Sequence, residues 1–468
     1  FSDDVKEILD NFEIATIIEK LKKAGLLYLV VQKFSEINLG ADTIDNLEMG
    51  YMFEELIRKF SEQSNETAGE HFTPREVIEL MVEVLLDTDL DEITTTDGKV
   101  ITILDPACGT GGMLSIAQNK IRALNSRTTV VPFGQELNPE TYATCKSDMI
   151  LKNNTNSKIV FGNSFSEDGF REQKFDYILS NPPFGVEWKK VKNFIENESK
   201  HKGYDGRFGA GTPRISDGSL LFLQHMISKM QPIEKGGSRI GIVFNGSPLF
   251  SGDAGSGESE IRKWIIEKDL LEAVIGLPDQ LFYNTGISTY VWILTNRKTD
   301  RRKGKIRLIN GTSFFGKMRK SLGNKRNEIT ESDRKEIVRL YSTYEHDENY
   351  IDFDNDDFGY RKITIERPLY DENREVVVEK GNPKPNSKLR DTETVPFKED
   401  IHEYFKREVL PHVPDAWIDE KKTKIGYEIP FTRHFYKFTP LRESSVILDE
   451  IKQLEEKIQK SLNELFKG

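Results

Sequence analysis

Four consecutive residues, Asn181-Pro182-Pro183-Phe184, combine groups that could hold and activate an amine. The Asn181 side chain carries a carbonyl oxygen, and the stiff Pro-Pro step restricts where the neighbouring backbone carbonyls point. Two acceptors can therefore be directed at one amino group. Such acceptors stabilise positive charge on an aromatic amine during nucleophilic attack, and Phe184 could stack on its ring. The alternative is an ordinary strand-to-loop turn with a packed phenylalanine.

The residues around this tetrapeptide predict the edge of a parallel sheet. The apolar run 175–180 ends at two prolines that cannot donate to a ladder, so it predicts a buried strand that stops at Asn181. The strands 273–276 and 289–294 are joined too closely for a crossover helix and should pair antiparallel. The predicted fold is α/β, with a mostly parallel sheet whose last strand is antiparallel. Its other strands are predicted at 100–104, 129–135, 158–161 and 239–244.

A glycine-rich turn, Asp105-Pro106-Ala107-Cys108-Gly109-Thr110-Gly111-Gly112, follows the strand predicted at 100–104. Its three glycines let backbone approach a ligand closely, as nucleotide sites require. Asp105 would repel phosphate but attract an ammonium group, which favours an adenosine that carries an amino acid. No histidine lies in this stretch to activate Cys108, so we do not expect a nucleophilic cysteine.

Polar residues follow the next two predicted strands. Glu136 is placed to accept hydrogen bonds from both hydroxyls of a ribose, although a charge at a helix start is the ordinary alternative. Asn163 or Ser164 could bond the edge of an adenine, and Phe165 could lie against its ring. These positions are all expected at the sheet edge that carries Asn181.

A helix start is predicted at Thr73, with Pro74 in the first helical position and Glu76 completing a capping box. The free amides and the dipole of such a helix could receive the carboxylate of a bound amino acid. His71, just before it, is assigned no chemistry.

In this order the motifs resemble those of amino-methylating DNA methyltransferases that use S-adenosylmethionine. More narrowly, the sequence resembles the modification (methyltransferase) subunit of type I restriction-modification systems, which is an adenine-specific DNA methyltransferase. The resemblance covers about residues 50 to 310. It rests on the segments 69–75, 105–112, 134–137, 162–164, 181–185 and 236–243.

The resemblance implies a Rossmann-like sheet that binds S-adenosylmethionine, and it implies that Asn181 to Phe184 hold a flipped adenine. Phe282 and Tyr283 are expected to complete the base pocket. Cys108 stands where these subunits usually carry another small residue, and Asn163 stands where the wider class commonly has aspartate. The expected cofactor-binding residues are Glu70, His71, Phe72, Thr73, Pro74, Arg75, Asp105, Pro106, Cys108, Gly109, Thr110, Gly111, Gly112, Glu136, Asn163 and Ser164.

Charge limits how the chain could meet DNA. A net charge of −11 argues against contact over most of its surface, so any contact must be local or shared with a partner. The loop 185–217 interleaves basic residues with Trp188, Tyr204 and Phe208 and could bind DNA, although a solvated insertion is an equal alternative. The basic run 297–307 is favoured as solvated surface.

Four regions are expected: a helical region 1–65, a catalytic domain 66–310, a polar extension 311–439 and a partner-binding helix 440–468. Because the chain starts at Phe1 rather than methionine, we expect the first region to be truncated. Residues 379–386 are predicted to form a linker. The terminal helix has an apolar seam of the coiled-coil type, at Ile447, Ile451, Leu454, Ile458 and Leu462.

We expect an adenine-specific DNA methyltransferase in the bacterial or archaeal cytoplasm, with neither a metal site nor a membrane span. The resemblance implies three partners: double-stranded DNA, a specificity subunit at the terminal helix and a second copy of the chain. It does not decide whether a restriction (nuclease) subunit joins them. The alternatives are a methyltransferase for protein glutamine amides, which would be compact without the basic loop or terminal helix, and a non-enzymatic DNA-bound scaffold, which would have damaged motifs.

Overall fold

We describe a computed structural model of the chain. The described residues are 2–38, 43–44, 49, 52, 56, 73–152, 154, 156–283, 285–322, 324–436 and 443–465. The chain divides into two compact units, Phe1–Pro430 and Phe431–Gly468. Among the described residues, no helix combines the length and the apolar character that crossing a membrane requires.

A nine-stranded sheet forms the centre of the first unit. Its strands follow the spatial order β11-β8-β6-β7-β5-β4-β1-β2-β3. In the described chain up to residue 355, the strands are β1 Val100–Asp105, β2 Thr129–Glu136, β3 Lys158–Phe161, β4 Tyr177–Ser180, β5 Arg239–Asn245, β6 Leu271–Gly276, β7 Thr289–Thr295, β8 Lys305–Asn310, β9 Gly316–Leu322, β10 Lys325–Glu328 and β11 Tyr350–Asp354.

The predicted α/β sheet is confirmed, as is its antiparallel element. Strand β7 runs antiparallel to both β5 and β6, and β11 runs antiparallel to β8, while the other neighbours are parallel. All residues of β4, β6 and β7 are buried, which accounts for their continuous apolar sequences. The expected boundary at residue 310 falls between β8 and β11, which are paired strands of this sheet.

Helices cover both faces of the sheet. Helix α4 packs against α6, α12 and β5, and the missing side chain of Gly241 allows this approach, because a Cβ there would lie 3.2 Å from Leu85. The α-helices are α1 Asp3–Asn11, α2 Ile14–Lys23, α3 Leu27–Ser35, α4 Arg75–Leu86, α5 Leu90–Thr95, α6 Gly112–Leu124, α7 Pro139–Leu151, α8 Lys192–Lys202, α9 Ser219–Ser228, α10 Ser247–Phe250, α11 Gly257–Glu267, α12 Glu331–Ser342, α13 Ile401–Tyr404, α14 Phe431–Phe435 and α15 Ser444–Leu465.

The N-terminal helical region is described over α1 to α3, and α1 is anchored by Glu7, which accepts hydrogen bonds from Tyr142 and Lys146. The remainder of the predicted helical region, 39–65, lies almost wholly outside the described residues. The terminal helix appears as α15, and the side chains of its apolar seam that are described, those of Ile447, Ile451, Leu454 and Ile458, are exposed.

The prediction of solvated surface for the basic run 297–307 is wrong for most of its cations. Arg297 forms a bidentate pair with Asp89 at 2.7 and 2.6 Å, and Arg307 pairs with Asp352 at 2.7 Å on both nitrogens. Lys298 is buried against Asp269, and Arg302 donates to the Tyr341 carbonyl. These carboxylates come from distant parts of the chain, so the run fastens the sheet to its flanking elements.

The C-terminal part of the first unit is a small antiparallel sheet. Strand β12 Gly359–Glu366 pairs with β15 Asp391–Pro396, β16 Trp417–Ile418 and β17 Lys424–Tyr427. The buried Arg262 of α11 donates to the carbonyls of Tyr427, Pro248 and Gly252, which fastens this sheet to the catalytic region. The predicted linker 379–386 is instead ordered, because β13 Val378–Glu379 and β14 Asn382–Pro383 pair as a hairpin.

Glu272 should be essential for stability. It is buried 2.6 Å from both Arg239 and the Tyr341 hydroxyl. Burial raises the pKa of its carboxyl, but Arg239, Arg302 and Tyr341 together lower that pKa below its usual range. We expect Glu272→Gln to lower the free energy of unfolding by about 3–5 kcal/mol, because it leaves buried guanidinium groups without their carboxylate. Guanidinium denaturation followed by tryptophan fluorescence measures this. The exposed Glu234→Gln is the control, and equal midpoints for both variants would contradict the prediction.

Candidate active site

The two chemically suggestive turns lie side by side. Strands β1 and β4 are parallel neighbours, with Leu104 paired to Ile178, so both turns leave the same edge of the sheet. The Ser180 hydroxyl donates to the Asp105 carboxylate at 2.9 Å and links the two strand ends directly. The common edge that the sequence predicts is therefore present.

The glycine-rich turn is closed by contacts that only glycine permits. Gly109 and Gly111 have positive φ angles of 54° and 82°, and α6 begins at Gly112. A Cβ on Gly111 would lie only 2.6 Å from the Cys145 sulfur. This tight turn carries Thr110 and leaves the first amides of α6 at the sheet edge, which is the usual arrangement for anionic or polar ligands.

Glu136 is held against this turn. Its carboxylate accepts from the Gly109 amide at 2.9 Å and from the Asn138 amide at 2.7 Å. A carboxylate can accept roughly four such bonds, so this orientation is compatible with hydroxyl donors from a ribose. The ordinary alternative is also realised in part, since Asn138 caps α7 by accepting from the Thr141 amide.

Asp105 is a buried carboxyl at the end of β1. One of its oxygens accepts from the Ala107 amide at 3.0 Å and from the Ser180 hydroxyl. Burial raises the pKa of Asp105 to about 7, and the nearby Glu136 charge adds to this increase. A cation placed beside this carboxyl would favour its ionised form.

The side chain of Cys108 belongs to the core. It packs next to Gly134, where a Cβ would lie 2.9 Å from its sulfur. The Cys145 neighbour and burial both raise the pKa of the Cys108 thiol. A neutral, buried thiol is not an activated nucleophile, so any ligand contact at this position would come from the backbone.

The turn after β3 is tied to the turn after β1. The Ser164 hydroxyl donates to the Pro106 carbonyl at 2.5 Å, while the Asn163 side-chain oxygen accepts from the Phe165 amide at 2.9 Å. Phe165 itself is buried, with its ring centroid 4.5 Å from that of Phe222. It therefore packs in a hydrophobic cluster, and its contact with a ligand ring stays a prediction.

Asn181 is held by one hydrogen bond that crosses between distant segments. Its amide nitrogen donates to the Thr73 hydroxyl at 2.9 Å. Its carbonyl oxygen is buried and has no hydrogen-bond partner among the described residues. Buried acceptors rarely remain unpaired, so this oxygen marks a place where a donor from a ligand would fit.

An aromatic contact joins the tetrapeptide to the loop before β7. Phe184 is buried, and its ring centroid lies 6.4 Å from that of Phe282 with the planes 70° apart. Pro182 is buried and Pro183 is half-buried. Phe184 and the loop that carries Phe282 thus form one aromatic wall. That this wall completes a base pocket stays a prediction.

The predicted capping box at Thr73 is wrong. Helix α4 begins at Arg75, with Pro74 in the capping position and no side-chain cap. Because the helix begins at Arg75 and not at Pro74, Thr73 lies outside its first turn. The Thr73 hydroxyl instead accepts a hydrogen bond from the Asn181 amide. Arg75 bonds Glu79 at 3.3 Å. The other expected residues of this segment, Glu70, His71 and Phe72, lie outside the described residues.

The loop 185–217 forms its own small core. Trp188 and Phe208 are buried together with Phe165, Ile195 and Leu221, and Tyr204 alone of the three expected aromatics is exposed. Arg207 is held by Glu198 at 2.7 Å and donates to the carbonyls of Ser164 and Phe165. These contacts support the insertion alternative at the aromatic positions, while Lys189, Lys190, Lys200 and Lys202 remain exposed.

Two residues of this region escape sequence-based prediction. Ser180 could have been found from its place beside Asn181 at a predicted strand end. Lys325 could not, because it lies far along the chain in a polar stretch. It is buried, pairs with Glu76 and donates to the Leu281 carbonyl at 3.0 Å.

Comparisons with known proteins agree with this arrangement. A family described as N-6 DNA Methylase matches residues 45–359. The type I restriction enzyme MjaIX methylase subunit of Methanocaldococcus jannaschii is 29% identical over 343 residues, which cover 71% of this chain and 55% of that protein. The HindI methylase subunit of Haemophilus influenzae is 31% identical over 280 residues, which cover 58% of this chain and 55% of that protein.

Among solved structures, the type I restriction-modification system methyltransferase subunit from Streptococcus thermophilus is 27% identical. It has a TM-score of 0.55 and covers 66% of this chain and 60% of that chain. The chain thus spans about 55% of the length of the two curated relatives compared with it. Because the family match extends over more than half of the residues, this chain belongs to the N-6 DNA methylase family.

Proposed function

We propose that this chain transfers the methyl group of S-adenosylmethionine to the exocyclic amine of an adenine in DNA. The observation that carries the proposal is the buried carbonyl oxygen of Asn181, which has no hydrogen-bond partner among the described residues and whose amide Thr73 holds in place. Membership of the N-6 DNA methylase family supports the same substrate. We further propose that the chain is the modification subunit of a type I restriction-modification complex in the bacterial or archaeal cytoplasm.

The residues at the sheet edge fit the cofactor. S-adenosylmethionine supplies an electrophilic methyl group on a sulfonium. The turn at Gly109 and Gly111, whose φ angles are positive, lets the protein backbone approach the cofactor closely. Glu136 is oriented to accept hydrogen bonds from the ribose hydroxyls, and the Asp105 carboxyl can balance the positive charge of the cofactor. Asn163 or Ser164 would contact the adenine of the cofactor. Thr73 to Arg75 would bind its amino-acid part.

The tetrapeptide would act on the substrate amine. The Asn181 carbonyl and a backbone carbonyl of the Pro-Pro step accept the two amine hydrogens, which localises the lone pair on nitrogen. These acceptors stabilise the positive charge that develops on the nitrogen during attack on the methyl carbon. Phe184, supported by Phe282, offers a stacking face to an adenine extruded from the duplex at a cost of a few kcal/mol.

The partners follow from the same proposal. The exposed apolar seam of α15 would bind the specificity subunit, which would supply sequence recognition, and a second copy of this chain would join the complex. A glutamine-amide methyltransferase would use the same Asn-Pro-Pro chemistry but is not favoured by the family match. A scaffold without activity is not favoured either, because the glycine turn and the tetrapeptide are intact.

The first test concerns Asn181. Converting Asn181→Ala removes the buried acceptor, so we expect methyl transfer to unmethylated DNA to fall by about a hundredfold or more while S-adenosylmethionine still binds. Transfer of labelled methyl groups, measured with the specificity partner present, gives the rate. The exposed Asn193→Ala of α8 is the control. Unchanged transfer by the Asn181 variant would remove the proposed role of this residue.

The second test concerns the hydrogen bond that orients the Asn181 amide. Thr73→Val removes the acceptor, and we expect kcat to fall by about tenfold, the effect of one hydrogen bond of about 1–1.5 kcal/mol. Thr73→Ser keeps the hydroxyl and should restore the rate. If valine and serine gave equal kcat values, the contact would have no part in positioning Asn181.

The third test concerns Asp105. Its pKa of about 7 reflects burial, and a bound cation favours the ionised carboxylate. S-adenosylmethionine binding should therefore release a proton from Asp105, so affinity should rise as pH increases towards about 7, by at most about tenfold per pH unit. Calorimetry in buffers of different ionisation enthalpy measures the proton release. Asp105→Asn should abolish this part of the pH dependence and the exposed Asp91→Asn should not; equal proton release by both variants contradicts the assignment.

A further inference from the structure

A two-stranded hairpin lies beyond the predicted catalytic region. Strands β9 and β10 pair antiparallel and form a separate sheet that follows the carboxyl end of β8. Because β8 runs parallel to β6 and in the same direction as β1 and β4, the hairpin emerges at the sheet edge that carries the proposed active site.

The inner face of the hairpin fastens it to this site. The buried Lys325 ammonium pairs with Glu76 in the first turn of α4, three residues after Thr73. The same ammonium donates to the Leu281 carbonyl at 3.0 Å, next to Phe282. The hairpin is therefore bonded to both segments that support the tetrapeptide.

Further hydrogen bonds join the hairpin to the loop that contains Phe282. The Asn324 amide donates to the Tyr283 carbonyl at 2.8 Å, and the Arg326 amide donates to the Gln280 carbonyl at 2.9 Å. The buried Asn327 side chain donates to the Asp279 carbonyl at 2.9 Å. These bonds leave little freedom for the hairpin to move independently of the aromatic wall.

Exposed basic side chains lie along both strands of the hairpin. Lys317, Arg319, Lys320 and Arg326 are exposed, and none of their side chains forms an ion pair or a hydrogen bond with another described residue. Described acidic residues at the hairpin include Glu328, which is part of it, and Asp279 and Glu76, which bond its Asn327 and Lys325. By contrast, Arg207 and most cations of the run 297–307 are paired inside the protein.

We propose that these exposed cations of the hairpin bind phosphates of the DNA strand beside the extruded adenine. The proposal rests on the function proposed above and names a contact surface for it. An acidic chain can bind a polyanion only where cations are locally in excess and unpaired, as these four are among the described residues. Backbone contacts next to the base pocket would position the strand while the adenine is out of the stack.

The test replaces all four exposed cations with glutamine, in K317Q/R319Q/K320Q/R326Q. Binding of a fluorescent duplex with a mismatched adenine is measured by anisotropy across a range of salt concentrations. We expect affinity at low salt to fall by at least about tenfold. The slope of log affinity against log salt should decrease by about 0.9 for each phosphate that the variant no longer binds.

A matched variant controls for net charge. R171Q/K235Q/K268Q/K305Q also removes four exposed cations, but these lie at the opposite edge of the sheet, before or at the start of β4, β5, β6 and β8. This variant should keep the salt slope of the unaltered chain. Equal slopes for the hairpin variant and the unaltered chain, or an equal decrease of affinity in both variants, would overturn the proposal.

Two further measurements separate the causes of failure. S-adenosylmethionine affinity and the unfolding midpoint should be unchanged in the hairpin variant; if its fold is disturbed, R319Q and K320Q alone should each lower the salt slope by about 0.9. Unchanged slopes in these single variants would also overturn the proposal. If the unaltered chain with its partner binds DNA but transfers no methyl group, the proposed function fails independently of the hairpin.

Discussion

The parallel pairing of β1 with β4 is the constraint on which the site depends. It brings two turns separated by about seventy residues of chain to one edge, where the hydrogen bond between Ser180 and Asp105 joins them at 2.9 Å. The Gly109 amide donates to Glu136 at the end of β2, and Ser164, in the turn after β3, donates to the Pro106 carbonyl. A few hydrogen bonds thus bring four strand ends together at one edge of the sheet.

The tetrapeptide combines a rigid backbone with a hydrogen-bond acceptor that a ligand could use. Prolines remove donors from the strand end, and Thr73 fixes the Asn181 amide, so the carbonyl is oriented yet has no partner among the described residues. An unpaired buried acceptor costs stability, roughly 1–3 kcal/mol, and such a cost is expected where a substrate supplies the missing donor.

Charge is distributed unevenly in this acidic chain. Arg297, Lys298 and Arg307 are paired with carboxylates far along the sequence and hold the sheet to its flanking layers. These cations are taken out of contact with any polyanion, because a paired guanidinium offers little net charge to a phosphate. The cations of the β9–β10 hairpin, which are unpaired among the described residues, are therefore the ones more available to a phosphate.

The sequence by itself determined the strands β1 to β7, the glycine turn and the tetrapeptide, because hydrophobic periodicity, glycine and proline act locally. It did not predict β8 and β11, which complete the central sheet. It also determined the antiparallel pairing of β6 and β7, which follows from a short connection. Only the tertiary structure decided that Thr73 bonds Asn181 rather than capping α4, that Arg297 is internal, and that Lys325 supports the aromatic wall. Those outcomes depend on which distant residue each polar side chain contacts, and a local sequence pattern does not specify contacts between residues far apart in the chain.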